Sequence, residues 1–338
     1  MNADPSHSSI VIAGGGTGGH LMPGLAVAEE LRRAGARRIV FVGTARGIEA
    51  RLVQPAGYEL RLIQVGGLKG RGLGRRIATM TQLPRAIGEC IRLLRECHAS
   101  VVFGIGGYAS GPALAAAALL RIPVVLLEVN ARSGLANRWA ARWAKAAAVN
   151  FPETGRDFRR AVVTGIPVRP EFFTHRGALP PPGQPVVLVF GGSQGAHALN
   201  QAVSVLPPGP YRLRHQSGAH DFIHDMAGAM AEASVVVCRA GASTLGELAA
   251  VGRAAILVPF PAAADQHQLR NAQAFAKAGA AVLLPQSELT PASLATAIEE
   301  LLAQPERRRG MEAAARRFAH PDAARAIAAL VLDNQKKG

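Results

Sequence analysis

Short apolar runs alternate with helical patterns along the first 164 residues of the chain. Strands are predicted from residue 9 and at residues 39–42, 60–65, 101–105 and 124–128, with helices between them that include residues 47–56 and 75–97. Strands that alternate with helices form a parallel sheet covered on both faces, so the pattern predicts a doubly wound α/β domain. Ligands of such a sheet bind beyond the carboxyl ends of its strands.

A proline-rich segment then divides the chain. Residues 165–185 contain many prolines and no clear periodicity, which is typical of a linker. Beyond it the apolar run at 186–190 begins a second series of strands, glycine turns and helices that continues to about residue 333. The sequence therefore predicts an N-terminal domain of residues 1–164 and a C-terminal domain of residues 186–338, facing each other across a cleft.

The first predicted strand ends in a glycine-rich turn, Gly-Gly-Gly-Thr-Gly-Gly-His20, and Pro23 is expected in the first turn of the helix that follows. Such a turn lets the backbone approach a ligand, and the N–H groups and dipole of the helix favour an anion there. The pattern predicts a phosphate site. His20 at its mouth is a candidate general base, and the alternative that it only caps or packs stays open.

The same turn also fits the dinucleotide fingerprint, as Gly14-x-Gly16-x-x-Gly19. That fingerprint expects an acidic residue at the end of the second strand, where it binds the ribose. Here Thr44 follows that strand, and the first acidic residue, Glu49, lies within the next helical pattern. A nicotinamide or flavin role is therefore disfavoured, and no cofactor is predicted.

Similar turns occur at Gly-Gly-Tyr108 and Gly-Gly-Ser193, and a third precedes Thr244-x-x-Glu247. The Ser193 hydroxyl either donates to a phosphate or caps its helix. Thr244 and Glu247 fit a capping box, and a carboxylate in that place can also accept both hydroxyls of a ribose. The amide of Gln268, in another polar loop, suits sugar hydroxyls because it both donates and accepts hydrogen bonds.

Composition adds constraints on partners and location. The 338 residues carry a formal net charge of +15, which favours anionic partners such as nucleic acid, phosphorylated metabolites or a membrane surface. The three cysteines match neither a disulfide framework nor a zinc site, which indicates a reducing compartment. Neither a secretory signal nor an apolar run of about 20 residues is present, so we expect a protein that does not cross a membrane. The absence of an Asp-x-Asp pattern predicts that no metal holds the substrate.

Nine segments, in this order, resemble one family over nearly the whole chain. They are Gly-Gly-Thr-Gly-Gly-His20, Gly-Gly-Tyr108-x-Ser-Gly-Pro, Glu128-x-Asn130, Pro167-Val-Arg169, Gly-Gly-Ser193-Gln-Gly, His-Gln-Ser-Gly218, Phe-Ile223-x-Asp-Met, Arg-x-Gly-Ala242-x-Thr-x-x-Glu247 and Asp265-x-His-Gln268. They resemble the N-acetylglucosaminyltransferases that convert lipid I to lipid II in bacterial peptidoglycan synthesis. The resemblance implies a GT-B fold, in which two Rossmann-like domains carry the substrates.

The resemblance also implies the reaction and its setting. The donor would be UDP-N-acetylglucosamine and the acceptor lipid I, the undecaprenyl-diphosphate-linked muramyl-pentapeptide, in an inverting reaction that needs no metal. The enzyme would lie peripherally on the cytoplasmic face of the inner membrane, in contact with its anionic surface and with other cell-wall enzymes. Nucleic acid is not an implied partner.

Site residues carried over from the family fall into two groups. The implied base is His20, and Glu128 is a weaker candidate. The implied substrate-binding residues are Thr17, Gly18 and Gly19 at the donor sugar and acceptor diphosphate; Tyr108 in the second glycine turn; Asn130 and Gln268 at the sugar; Arg169 and Ser193 at the nucleotide; Ile223, through its backbone, at the uracil; Ala242, Ser243, Thr244, Leu245 and Gly246 at the diphosphate; and Glu247 at the ribose.

The chain departs from the family pattern at several places. Leu127, Val129 and Ile166 replace the usual residues beside Glu128 and Pro167, and only residues 219–222 separate Gly218 from Ile223. Four residues reach about 14 Å and are too few for a strand and a crossover helix, so the second domain is predicted to lack an edge strand and its helix. Two alternatives stay open: a non-catalytic relative that binds the membrane or cell-wall enzymes, and a GT-B transferase that uses another nucleotide sugar.

A basic and apolar pattern lies near the second glycine-rich segment of the N-terminal domain. Lys69, Arg71, Arg75 and Arg76 flank Leu73, Ile77, Met80 and Leu83 at helical spacing. This pattern predicts either a surface that docks on anionic lipid or a helix that packs on its own domain.

Overall fold

A computed structural model describes residues 8–45, 47–64, 73–177, 180, 183–191, 196–218 and 223–336, with the backbone alone for residues 73–82 and 264. The chain forms two compact units. Unit 1 consists of Met1–Val129, Ser133–Ile166 and Asp322–Gly338, and unit 2 consists of Asn130–Arg132 and Pro167–Pro321.

Unit 1 is built on a parallel sheet of seven strands. These are β1 (Ser9–Gly14), β2 (Ile39–Gly43), β3 (Glu59–Leu62), β4 (Ala99–Gly106), β5 (Val124–Glu128), β6 (Ala146–Val149) and β7 (Ala161–Val163). The helices are α1 (Gly18–Arg33), α2 (Glu49–Leu52), α3 (Leu73–Glu96), α4 (Ser110–Leu119) and α5 (Leu135–Ala140), followed by a 3₁₀ helix, Pro152–Asp157. The predicted helix at 47–56 is therefore shorter than expected.

The strand order of unit 1 is β3-β2-β1-β4-β5-β6-β7. The chain moves outward from β1 to β3, then returns to place β4 on the other side of β1. Every residue of β1 and β5 is buried, because apolar helices cover both faces of these central strands. The order reverses between β1 and β4, and a crevice for ligands opens at such a point.

Unit 2 carries a smaller parallel sheet in the order β12-β11-β10-β8-β9. Its strands are β8 (Val186–Phe190), β9 (Arg212–Gln216), β10 (Val235–Cys238), β11 (Ala255–Leu257) and β12 (Val282–Leu283). Its helices are α6 (Glu171–Thr174), α7 (His197–Ser204), α8 (Met226–Glu232), α9 (Ala242–Val251), α10 (His267–Lys277), α11 (Pro291–Ala303) and α12 (Pro305–Arg316), with 3₁₀ helices at Ala264–Gln266 and Gln286–Glu288. The prediction of two doubly wound α/β domains is confirmed.

The edge of the second sheet can be compared with the prediction that unit 2 lacks an edge strand and its helix. Strand β9 ends the sheet, and the described residues between β9 and α8 add no further strand. Residues 219–222 lie outside the described part of the chain. In the part that is described, the sheet therefore stops where the sequence predicts that an edge strand is missing.

The two units do not follow the predicted boundaries. The last helix, α13 (Ala323–Asp333), packs against α1, and beyond it the Lys336 N–H donates to the Ser100 carbonyl at 3.0 Å. Residues 322–336 therefore belong with unit 1, since the apolar face of α13 is buried there. The predicted linker is also partly helical, because α6 packs against α9 and buries Phe172 completely.

In the described parts of the chain, no helix is long and apolar enough to cross a membrane.

Candidate active site

The glycine turns after β1 and β4 pack backbone to backbone. The Gly15 N–H donates to the Gly106 carbonyl at 3.2 Å. Gly14 and Gly107 have φ of 138° and 82°, and a side chain at Gly107 would strike the Gly15 carbonyl. Glycine is required here because both the backbone angles and the close approach exclude a Cβ atom. The two turns thus form one structure at the point where the strand order reverses.

Helix α1 begins directly after the first turn, at Gly18. Thr17 is its N-cap in an extended conformation, and its side chain makes no capping hydrogen bond. The N–H groups of Gly18 and Gly19 have no acceptor within the helix, and they lie at its positive end. Pro23 is the sixth helical residue, so its predicted place in the first turn is wrong; the helix starts earlier than the proline indicates.

His20 and Tyr108 flank the paired turns. His20 is the third residue of α1, and a Cβ atom at Gly106 would lie 2.9 Å from its Nδ1 atom. The Tyr108 ring covers Gly16 in the same way, with Cε1 3.3 Å from the position of a Cβ atom. The structure therefore brings the predicted residues of unit 1 together at the ends of β1 and β4. These are Thr17, Gly18, Gly19, His20 and Tyr108.

Glu128, the weaker candidate base, is occupied by structural contacts. It lies at the end of β5 and is only 2% exposed. Its Oε2 atom accepts from the Gly134 N–H and from Asn137 Nδ2, both at 2.9 Å. Gly134 is the N-cap of α5, so the carboxylate stabilises the start of that helix.

Asn130 is held by a residue that sequence reasoning missed. Asn271 in α10 is fully buried and donates through Nδ2 to Asn130 Oδ1 and to the Ala240 carbonyl, both at 3.2 Å. Its Oδ1 atom accepts from the Ala131 N–H at 2.8 Å. The available signal was a polar residue on the buried face of α10, beside Ala272 and Phe275.

Helix α9 begins after the third glycine turn. Its first residue is Ala242, its N-cap is Gly241, and no side chain caps it. Thr244 is already the third helical residue, so the predicted capping box with Glu247 is wrong. The buried Ser243 hydroxyl has no hydrogen-bond partner, whereas Leu245 is buried in the core of unit 2.

Glu247 lies near two charged side chains. Arg169 Nη2 is 4.0 Å from Glu247 Oε1, and Arg169 Nη1 is 2.9 Å from Glu171 Oε1. Burial raises the pKa of Glu247 to about 7; Arg169 opposes the shift, and Glu171 adds to it. The Arg169 guanidinium also lies over the Phe172 ring, 4.9 Å from its centre, which fixes its position.

Gln268 lies at the start of α10 behind strained backbone. Asp265 and Gln266 have φ of 50° and 54°, which is uncommon for these residue types and is often found at ligand sites. Gln268 Oε1 accepts from the Phe260 N–H at 2.9 Å. The guanidinium of Arg239, the first residue of the Arg-x-Gly-Ala242 segment, lies 5.5 Å from the centre of the Phe260 ring, a contact that the sequence did not predict.

Three predicted residues remain, of which Gly246 is buried within α9. The Ile223 N–H donates to Gln216 Oε1 at 3.3 Å, so it is linked to the end of β9. Ser193 lies outside the described residues. Among the residues that are described, no group of three or more histidine, cysteine, aspartate or glutamate side chains could hold a metal ion.

Two parallel α/β units that carry helix N-termini at glycine turns are typical of the GT-B fold. The N-terminal domain of glycosyltransferase family 28 matches residues 10–149, and the C-terminal domain of that family matches residues 210–327. The chain belongs to glycosyltransferase family 28.

Curated relatives match over nearly their full length. The UDP-N-acetylglucosamine–N-acetylmuramyl-(pentapeptide) pyrophosphoryl-undecaprenol N-acetylglucosamine transferase of Anaeromyxobacter dehalogenans (strain 2CP-1) is 45% identical, over 96% of this chain and 92% of the relative. The transferase of the same name from Syntrophus aciditrophicus is 42% identical, over 90% and 93% of the two chains.

Solved structures agree with the fold. The crystal structure of Acinetobacter baumannii MurG superposes with a TM-score of 0.79 at 31% identity, over 97% of this chain and all of that chain (100%). CalG4, the calicheamicin glycosyltransferase, gives a TM-score of 0.68 at 18% identity, over 96% and 98% of the two chains, and so shares the fold alone.

Proposed function

We propose that this enzyme transfers N-acetylglucosamine from UDP-N-acetylglucosamine to the 4-hydroxyl of the muramyl sugar of lipid I, which gives lipid II. The names of relatives that are 42% to 45% identical support this substrate pair. The observation that carries the proposal is the Glu247 carboxylate beside Arg169, in the second turn of a helix that follows a glycine turn. That arrangement suits the ribose and diphosphate of a nucleotide sugar.

Unit 2 would hold the donor. Glu247 accepts hydrogen bonds from the two ribose hydroxyls, and Arg169 with the N-terminus of α9 stabilises the charge that develops on the diphosphate as it leaves. The Ser243 hydroxyl, buried without a partner in the free enzyme, donates to the same group. These cationic and dipolar groups allow the transfer to proceed without a metal ion.

Unit 1 would hold and activate the acceptor. The N–H groups of Gly18 and Gly19 bind the lipid diphosphate, beside Thr17. His20 takes the proton of the acceptor 4-hydroxyl. In the same step the oxygen of that hydroxyl bonds to the anomeric carbon of the donor, and the bond from that carbon to UDP breaks. Configuration at the anomeric carbon is inverted, because the attack and the departure occur in one step on opposite faces.

Transfer assays with a panel of donors test the function. We expect a lipid I analogue to receive sugar from UDP-N-acetylglucosamine and not from UDP-glucose or dTDP sugars. Faster transfer from another nucleotide sugar would identify a different GT-B transferase. Donor binding without transfer from any sugar would indicate the non-catalytic relative.

The backbone of Ile223, which is assigned to the uracil, gives a separate prediction. The alignment with the Anaeromyxobacter relative spans 353 positions, more than the 338 residues here, so that relative has residues without a counterpart in this chain. We propose that some of them form the absent strand, which leaves Ile223 fixed mainly through Gln216. We expect weaker nucleotide binding, with the affinities for UDP, CDP and GDP within about tenfold of one another, because fixing the Ile223 backbone against the base costs conformational entropy.

Calorimetry with the three nucleotides measures this selectivity. Gln216→Ala should lower UDP affinity further, whereas Gln304→Ala, at an exposed amide elsewhere in unit 2, should not. Low-micromolar UDP binding with strong preference over CDP and GDP would contradict the prediction.

We further propose a peripheral location on the cytoplasmic face of the inner membrane. The patch predicted at Lys69–Leu83 falls mostly outside the described side chains, and Leu83, which is described, is 43% exposed. A second apolar surface lies on α5, where Leu135 and Trp139 are 63% and 45% exposed, with Arg138 on the same helix and the exposed Arg142 just beyond its end. Exposed aromatic and basic side chains suit an anionic lipid surface, at about 1 kcal/mol for each basic residue.

Vesicle co-sedimentation tests this surface. We expect binding to rise with the anionic lipid fraction and to fall when Trp139→Ser is combined with Arg138→Glu and Arg142→Glu. Val205→Ser in unit 2, also at an exposed apolar residue (66%), serves as the control and should bind as the wild type does. Binding that responds to neither lipid charge nor these changes would refute the proposal.

A further inference from the structure

Glu49 is a buried acidic residue with no part in the proposed mechanism. It is the first residue of α2 and is only 1% exposed. Its Oε1 atom accepts from the Thr44 N–H at 2.8 Å and from the Thr44 hydroxyl at 3.1 Å. Its Oε2 atom accepts from the Gly16 N–H at 2.8 Å. One carboxylate thus joins the end of β2 to the glycine turn after β1.

Three glycines make room for this carboxylate. A Cβ atom at Gly15 would lie 2.7 Å from Glu49 Oε2, and side chains at Gly43 or Gly47 would strike the same group. Gly15 also needs its φ of 131°, which other residues rarely adopt. These glycines are therefore needed to accommodate the Glu49 side chain, and not only to let a ligand approach the backbone.

The contact changes the role of the glycine turn. A free turn of this kind presents its N–H groups to a phosphate, but the Gly16 N–H is already bonded to the anionic Glu49. The N–H groups of Gly18 and Gly19, at the start of α1, remain available for a substrate anion. Glu49 thus occupies the part of the turn at Gly16, and the part at Gly18 and Gly19 is left for the substrate.

The contact also reaches the candidate base. Gly15 and Gly16 lie between Glu49 on one side and the β4 turn, with Gly106 and Tyr108, on the other. Because His20 packs against Gly106, the turn that Glu49 holds sets where α1 starts and where the imidazole lies relative to β4. A displacement of about 1 Å at reacting groups can reduce turnover by about 10²-fold.

We propose that Glu49 is a positioning residue, which clamps the first glycine turn so that Gly18, Gly19 and His20 are held in place for the acceptor. This inference rests on the proposed function for the identity of the acceptor. The clamp itself does not depend on the proposed function, because it consists of the hydrogen bonds from Gly16 and Thr44 to Glu49.

Steady-state kinetics of Glu49→Gln test the proposal. A glutamine has the same shape, but its NH₂ group must face one of the N–H donors, Gly16 or Thr44, so one bond is replaced by a repulsive contact. We expect kcat/KM for the lipid I analogue to fall by about 10- to 100-fold. The calorimetric Kd for UDP-N-acetylglucosamine should stay within about twofold of the wild type, because the contacts assigned to the uracil, ribose and diphosphate of the donor lie in unit 2.

The matched control is Glu89→Gln. Glu89 also accepts from a backbone N–H, that of Gln64 at 3.3 Å, and it pairs with Arg85 at 3.4 Å, but it touches neither glycine turn. This variant should retain wild-type kinetics. Equal losses in the two variants, or a Glu49→Gln enzyme that loses donor binding and thermal stability together with turnover, would reduce Glu49 to a general structural residue and overturn the proposal.

Thr44 supplies a second pair of variants in case Glu49→Gln does not fold. Thr44→Val removes one donor to Glu49 Oε1 and should lower kcat/KM for the acceptor, by a smaller factor than Glu49→Gln does. Thr44→Ser keeps the hydroxyl and should have the kcat/KM of the wild type. Wild-type acceptor kinetics in both Glu49→Gln and Thr44→Val would refute the clamp.

Hydrogen exchange separates this proposal from the proposed function. Exchange of the amides at residues 15–20 should be faster in Glu49→Gln than in Glu89→Gln, whatever the substrates are. If the wild-type enzyme transfers no sugar to lipid I, the proposed function fails and the exchange result decides the clamp by itself. Unchanged exchange at residues 15–20 would reject it.

Discussion

His20→Ala should lower the turnover number by about 10²- to 10⁴-fold, the range for loss of a general base. The Kd for UDP-N-acetylglucosamine should not change, because a base acts on the transition state and not on the bound donor. The structure places His20 in the first turn of α1, packed against Gly106 and next to the N–H groups assigned to the acceptor diphosphate. Single-turnover kinetics and donor calorimetry measure the two quantities separately.

Two further variants sharpen this test. His98→Asn changes an exposed histidine just before β4, at the opposite end of the strand from the glycine turns, and should behave as the wild type. Glu128→Gln examines the competing base. Near-normal turnover in His20→Ala, with a large loss in Glu128→Gln, would transfer the role of base to Glu128.

Local signals in the sequence predicted the strands that lead into the glycine turns correctly, but not the strands β6 and β7. The apolar runs that end in glycine are parallel strands, and their turns meet beyond the carboxyl ends of those strands. These features could be predicted because the burial of a strand and the positive φ of a glycine leave a signal in the residues next to each other in the sequence. Helix starts were less predictable. Both Pro23 and Thr244 favour a later start than the structure shows, since backbone glycine caps such as Gly241 have no side chain to mark them.

The contacts that hold the site together could not be predicted from local patterns. Glu49 bonds to a turn 33 residues away, and Asn271 bonds to Asn130 across 141 residues. Asn271 lies on a helix whose buried face is otherwise apolar, which indicates burial but not the partner. Glu49 is the only buried residue of the short helix α2, so no apolar pattern marks it. The acidic residue that follows β2, Glu49, lies inside the glycine turn after β1 and bonds to its Gly16 N–H.

Glu247→Gln should weaken binding of UDP-N-acetylglucosamine by about 10- to 100-fold at pH 8, since each hydrogen bond to a charged group contributes about 1.5–3 kcal/mol and glutamine retains part of the contact. Glu247 lies in the second turn of α9, near Arg169, and its carboxylate is assigned to both ribose hydroxyls. Arg169 and the helix N-terminus are unchanged in this variant, so diphosphate binding should persist. Calorimetry with UDP-N-acetylglucosamine is the measurement, and an affinity equal to that of the wild type would remove Glu247 from the ribose site.

The pH dependence of donor binding gives the sharper form of this prediction. Burial raises the pKa of Glu247 from 4.5 to about 7, so in the free enzyme its side chain is a carboxylate above pH 7 and a neutral acid below it. Only the carboxylate accepts from both hydroxyls; therefore the Kd should be constant above pH 7 and should rise by up to about tenfold for each pH unit below it. Glu247→Gln should abolish this dependence. Glu171→Gln should move the midpoint to lower pH, because the Glu171 charge helps to raise the pKa of Glu247. A wild-type Kd that stays constant from pH 5.5 to pH 8 would show that the ribose does not depend on the Glu247 carboxylate.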